Sequence, residues 1–122
     1  MLLKLFAWTD RGIQDPKDAV DLVTLLRTYH EAGNEDRLYG EELNMLEAAG
    51  FDPASAGPQL LGKDVRSIAK PETLTQALAV LSDAKHANRL VTHMAPRLRH
   101  ANDPIAEAER LLEKFKTGLN GQ

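Results

Sequence analysis

Cysteine is absent from the 122 residues of this chain. Without thiols, the protein cannot form a disulfide framework, a thiolate zinc site, an iron–sulfur cluster or a cysteine nucleophile. Long apolar runs are missing too, since none approaches the ~20 residues of a membrane helix. The apolar amino end also lacks the basic leader and the small-residue cleavage site of a signal peptide. We therefore expect a cytoplasmic protein with no membrane partner.

Strand-forming residues are scarce, and this scarcity indicates the fold class. Val and Ile supply only 8 residues and aromatic residues only 5% of the chain, whereas Leu and Ala supply 35 residues. Small and unbranched side chains favour helix, and β-branched ones favour strand. We predict an all-α fold, with one helical domain of five to six helices over residues 1–118 and a frayed tail at residues 119–122.

Helix boundaries are marked by Asp-Pro pairs and by glycines. In an Asp-Pro pair, Asp can cap the free backbone amides and Pro suits the first helical position. The three pairs are Asp15-Pro16, Asp52-Pro53 and Asp103-Pro104. Gly33 and Gly50 are natural helix ends. Apolar spacing also predicts a short first helix, with its apolar block at residues 2–8 and its end at Gly12, a long helix from Pro71 to about Ala95, and a last helix that ends near Gly118.

Two patterns mimic chemical sites and are rejected. Residues 57–64 (GPQLLGKD) nearly match a phosphate-binding loop, but Asp64 replaces the hydroxyl that would bind magnesium, and no buried strand precedes them. We expect Leu60 and Leu61 to be core residues of a helix.

The histidines at 86, 93 and 100 recur every seven residues. This spacing places neighbouring histidines ~10.5 Å apart along a helix, which is too far for them to share a metal ion. We expect these histidines to be solvated or half-buried, and we predict no metal site.

The net charge of −3 excludes a globally basic nucleic-acid binder but allows a local basic patch. Between Asp83 and Asp103 there is no acidic residue. The same stretch contains four basic residues: Lys85, Arg89, Arg97 and Arg99. Such a patch could contact a nucleic-acid backbone or an acidic partner, but a run of charge is more often a solvated helix face. We favour the solvated face and keep RNA binding as the weaker alternative.

A second group of charges lies at the amino end and comprises Lys4, Asp10, Arg11, Lys17, Asp18 and Asp21. Asp18 borders the apolar stripe of its predicted helix, so its carboxylate should need a cationic partner. The group could be a structural ion-pair network that joins two helices. It could also be the edge of a nucleotide site, where Lys and Arg meet phosphates. Spacing alone favours the structural network.

The amino end contains the runs LKLFAWTDR at residues 3–11 and KDAVDL at residues 17–22. Together they resemble a motif of the AbiEii/AbiGii-type predicted nucleotidyltransferases, toxin-like members of the polymerase-beta-type superfamily. The segment at residues 51–64 resembles the helical tail of one subgroup. The resemblance implies a helical domain that follows a catalytic domain. By matching position, it also implies that Lys4, Arg11, Asp18 and Asp21 line or support a nucleotide cleft.

The chain departs from this family in its catalytic residues. Members of the superfamily hold metal ions with an Asp-x-Asp pair next to a Gly-Ser step, and neither pattern occurs here. The resemblance therefore implies the carboxy-terminal helical part alone, without independent activity. Mg²⁺ and a nucleoside triphosphate are implied for a complete family member, and no cofactor for this chain.

The partner implied by the resemblance is a separate catalytic domain. The alternative is a protein-binding or self-associating module, such as a homo-oligomer. In that case, removal of a catalytic domain should leave Leu2, Phe6 or Trp8 uncovered as an apolar docking surface.

Overall fold

The computed structural model describes residues 5, 6, 8, 9 and 17–121. Leu5, Phe6, Trp8 and Thr9 are helical. Residues 17–121 form seven α-helices and two 3₁₀ turns without a strand, which confirms the all-α prediction and slightly exceeds the expected number of helices. The helices are α1 (Lys17–Thr28), α2 (Glu35–Tyr39), α3 (Leu43–Ala48), α4 (Pro53–Ile68), α5 (Pro71–Ser82), α6 (Ala84–Met94) and α7 (Pro104–Leu119). The first 3₁₀ turn is Tyr29–Glu31 and the second is Ala95–Leu98.

Two of the three Asp-Pro starts are confirmed, and the third pair lies outside the described residues. Asp52 Oδ1 accepts a hydrogen bond from the Ala54 amide at 3.1 Å at the start of α4. Asp103 Oδ1 accepts from the Ala106 amide at 3.1 Å at the start of α7. The stop at Gly50 is confirmed, because α3 ends at Ala48 and Gly50 has a φ of +70°. Gly33 also has a positive φ, of +77°, but α1 ends earlier, at Thr28, and a 3₁₀ turn lies between them.

The predicted long helix from Pro71 to Ala95 is wrong, because the chain breaks it at Asp83. This residue has an extended backbone, with ψ of 115°, and its Oδ1 accepts from the Lys85 amide at 3.0 Å. Asp83 therefore caps α6 and ends α5, although the apolar spacing continues across it. Near the carboxyl end, α7 runs one residue beyond the predicted Gly118, and Leu119 is fully buried.

Helices α4 and α7 cross with their backbones in contact. A Cβ added to Gly118 would lie 2.1 Å from the Gln59 carbonyl oxygen, and one added to Gly62 would lie 2.3 Å from the Phe115 carbonyl oxygen. Any side chain at either position would overlap the facing backbone. Only glycine therefore allows the two helices to pack at this distance.

Two apolar clusters form around these helices. The main core contains side chains from α1, α4, α5, α6 and α7, together with Leu5 and Trp8 from the amino end. The smaller core joins α2, α3 and α4 through Leu38, Leu46 and Leu60. As expected, Leu60 and Leu61 are buried helical residues, so the segment that resembled a phosphate loop is continuous helix.

Polar contacts attach α2 and α3 to α4. Arg37 Nη1 and Nη2 donate to the two oxygens of Asp64 at 2.8 and 2.9 Å, and the Tyr29 hydroxyl donates to Asp64 as well. The hydrogen bonds from Arg37 hold the pKa of Asp64 below its ordinary value. Burial and the Asp64 carboxylate raise the pKa of the Tyr29 hydroxyl. In addition, Lys63 on α4 forms an ion pair with Glu42, just before α3.

The glycine crossing generates a stability prediction. We expect Gly118→Ala and Gly62→Ala each to lower the free energy of unfolding by at least about 2 kcal/mol, because the new methyl group overlaps backbone. Gly57→Ala is the comparison, since its Cβ would meet His30 at 3.2 Å and helix propensity partly offsets the contact. Urea unfolding followed by circular dichroism measures the difference. Equal stability of all three variants would contradict the close crossing.

Asp64 generates a prediction about pH. Because its folded-state pKa lies below the unfolded value, its contribution to stability is present above about pH 4 and is lost as pH falls through the folded-state pKa. Asp64→Asn should therefore be less stable than the parent at pH 7, by about 1–3 kcal/mol. The gap should close in acid. Urea unfolding between roughly pH 2 and pH 7 tests this, and a gap that does not change with pH would refute it.

Candidate functional site

The motif at residues 17–22 begins α1. Lys17 is exposed and Asp21 is half-buried, whereas Asp18 is only 3% exposed. A carboxylate in the first turn of a helix is stabilised by the helix dipole and by backbone amides that have no partner within the helix. Asp18 is therefore an internal residue of the domain, and Lys17 and Asp21 are the motif residues nearest to solvent.

The structure brings Lys17, Asp18 and Asp21 together within the first turns of α1, where residues three and four apart lie on neighbouring positions of one face. The other two residues of the predicted cleft, Lys4 and Arg11, lie outside the described residues. Within the described part of the chain, no group of three or more His, Asp or Glu side chains is arranged to hold a metal ion.

The amino-end apolar residues pack into the domain itself. Trp8 is fully buried and Leu5 is 1% exposed, while Phe6 is half-buried. The expectation that Trp8 would be uncovered is therefore wrong, because the main core of the same chain covers its indole ring. Leu2, which was included in the same expectation, lies outside the described residues.

Two of the three regularly spaced histidines contact this tryptophan. The Trp8 indole N–H donates to His93 Nδ1 at 2.8 Å, and the two rings meet edge to face with centroids 5.8 Å apart. His86 approaches the same indole with centroids 6.3 Å apart, and its Nδ1 lies 2.7 Å from Asp83 Oδ2. Both histidines are half-buried, as predicted, and they attach the amino-end segment to α6.

The four basic residues of the 85–100 stretch are all exposed. They do not follow one continuous helix, because α6 ends at Met94 and the chain continues as a 3₁₀ turn. A further cation joins them from α1: Arg27 Nη1 donates to the Arg97 carbonyl oxygen at 3.1 Å, and Arg27 Nη2 contacts His100 Nε2 at 3.2 Å. Sequence reasoning missed Arg27, because nothing local to it indicates a contact with residues about seventy positions away.

A cleft of about 520 Å³ lies between α3, α4 and the carboxyl end of α7. Lys63 and Arg66 line it, but both have partners inside the protein. Lys63 is paired with Glu42, and Arg66 Nη1 donates to the Leu119 carbonyl oxygen at 3.1 Å. These cations hold secondary-structure elements together at the edge of the cleft.

Comparisons with protein-family models, with curated protein sequences and with solved structures find no match to this chain. In the described part of the chain, no helix has the length and hydropathy required to cross a bilayer. Function is therefore inferred from the residues and their arrangement.

The contact between Trp8 and His93 generates a prediction. In His93→Leu the buried indole N–H loses its acceptor, so we expect the free energy of unfolding to fall by about 1–3 kcal/mol and the indole N–H resonance to shift. His86→Leu is the matched control, because His86 touches the same ring without accepting its hydrogen bond. Urea unfolding and proton NMR measure the two effects. If both variants have the same stability and the same indole resonance, the hydrogen bond does not contribute.

Proposed function

We propose that this chain is a helical accessory domain of a nucleotidyltransferase-like protein, which supports the nucleotide cleft of a catalytic domain and transfers no nucleotide by itself. The observation that supports the proposal is the position of the family-like motif on α1. Asp18 faces inward, while Lys17 and Asp21 lie closer to solvent. The motif is thus divided between one residue that is built into the domain and two that can meet a neighbouring molecule.

The burial of Asp18 assigns it a positioning role in this proposal. Because Asp18 is buried in the first turn of α1, its role in this proposal is to fix that turn against the rest of the domain. Lys17 would then present a fixed positive charge to phosphate oxygens, and Asp21 would orient the cation or the sugar. The resemblance assigns Lys4 and Arg11 to the same nucleotide edge.

The metal chemistry belongs to the catalytic domain in this proposal. A complete family member would hold Mg²⁺ and a nucleoside triphosphate with an Asp-x-Asp pair, which this sequence lacks. We therefore propose that the accessory domain binds no metal on its own and acts in the cytoplasm beside its catalytic partner.

The alternative of self-association through the amino-end face has less support, because Leu5 and Trp8 are covered within one chain. Nucleic-acid binding is the better second candidate. It is favoured by the exposure of Lys85, Arg89, Arg97 and Arg99, and no carboxylate forms an ion pair with any of them among the described residues.

A nucleotide-transfer assay tests the proposed function. The purified chain is incubated with Mg²⁺ or Mn²⁺, labelled nucleoside triphosphates and bulk RNA, and incorporation is compared with a reaction without protein. We expect no incorporation above that background, since the metal-binding pair is missing.

Three variants show whether any incorporation that is observed depends on the motif. Asp18→Ala and Asp21→Ala change the motif, and Asp36→Ala is an exposed control on α2. Robust incorporation that is lost in Asp18→Ala and Asp21→Ala but kept in Asp36→Ala would contradict the proposal. Circular dichroism establishes that each variant is folded before its activity is compared.

A further inference from the structure

A cavity of about 280 Å³ opens where α1, the first 3₁₀ turn, α7 and the segment after the second 3₁₀ turn meet. We call it the Arg27 cavity. Its charged and titratable side chains are Arg27, His30, Glu31, His100, Glu107 and Arg110. The volume is close to the lower end of small-ligand sites, roughly 300–1,000 Å³, so the cavity suits a small group rather than a large organic molecule.

Two contacts hold the Arg27 side chain in place, and neither of them is an ion pair that would neutralise its charge. Its guanidinium donates to the Arg97 carbonyl oxygen at 3.1 Å and to His100 Nε2 at 3.2 Å. A guanidinium can only donate, so Arg27 is the donor in both contacts. Neither partner is a carboxylate, and no carboxylate is paired with Arg27 among the described residues.

The second arginine of the cavity is fixed from two sides. Arg110 Nε donates to Glu107 Oε2 at 3.2 Å, its Nη2 is paired with the other oxygen of Glu107, and its Nη1 donates to Ser55 Oγ at 3.0 Å. The charge of Glu107 is therefore balanced by Arg110. The remaining carboxylate, Glu31, is largely exposed and lies 3.8 Å from His30 Nε2.

We propose that the Arg27 cavity binds a phosphoryl group. The guanidinium has five N–H donors, of which the two observed contacts occupy two, so three stay available to oxygens of a ligand. A planar fork that is already oriented loses little entropy when it binds phosphate. Arg97 and Arg99 are exposed and belong to the chain segment that contacts Arg27 through the Arg97 carbonyl oxygen and His100, so this segment adds positive charge. This inference does not depend on the proposed accessory function.

Titration with inorganic phosphate at constant ionic strength tests the proposal. Side-chain N–H resonances of Arg27 should shift and saturate, whereas those of Arg66, an exposed arginine that also donates to a backbone carbonyl, should not. Arg27→Gln should weaken phosphate binding by about tenfold or more, because a charged donor is lost, and Arg66→Gln should leave it unchanged.

Two more probes identify the source of the phosphoryl group. Adenosine 5′-monophosphate tests a small phosphate ester, and a short RNA with a 5′-hydroxyl tests backbone phosphodiesters. The proposal is supported if at least one of the three probes binds saturably, and if Arg27→Gln weakens that binding while Arg66→Gln does not. The probe that binds most tightly then identifies the source of the phosphoryl group. The proposal is overturned if none of the probes shifts Arg27 more than Arg66, or if Arg27→Gln binds all of them as tightly as the parent. Arg27 is exposed, so its replacement should not affect folding, which circular dichroism verifies.

Discussion

The direct contact between the backbones of α4 and α7 is the constraint on which the other helices depend. At Gly62 and Gly118 the two helices are too close for any side chain. Their neighbours then take positions around this pair: α1 packs on both helices, and α5 and α6 pack on α7. Farther along α4, Gly57 allows the first 3₁₀ turn to approach, since its Cβ would lie 3.2 Å from His30.

Helix α1 carries residues of both the proposed nucleotide edge and the proposed phosphoryl site. The amino end of α1 places Asp18 in the interior, and its carboxyl end brings Arg27 to Arg97 and His100. Because α1 is one continuous helix that packs on α4 and α7, this packing fixes the positions of both of its ends. The proposed nucleotide edge and the proposed phosphoryl site therefore depend on the same packing, although they use different residues and do not require one another.

Local signals in the sequence were sufficient for the fold class and for several boundaries. Leu-rich composition predicts helices, the Asp side chains at 52 and 103 form the expected caps, and Asp64 correctly excludes a phosphate loop. Long-range contacts had no such signal. The cap at Asp83 was hidden by apolar spacing that continues on both sides, and the packing partners of Trp8 and Arg27 are residues far along the chain. Likewise, two glycines within helices do not reveal by themselves that they face each other.

Native-state hydrogen exchange tests most directly the claim that the α4–α7 crossing is the foundation of the domain. Amides of α4 and α7 around Gly62 and Gly118 should exchange only through global unfolding, and their opening free energy should equal that from urea unfolding. Amides of α2 and α3, which attach to α4 through a small core and polar contacts, should open at lower free energy. The account is contradicted if amides at the crossing open as easily as those of α2 and α3.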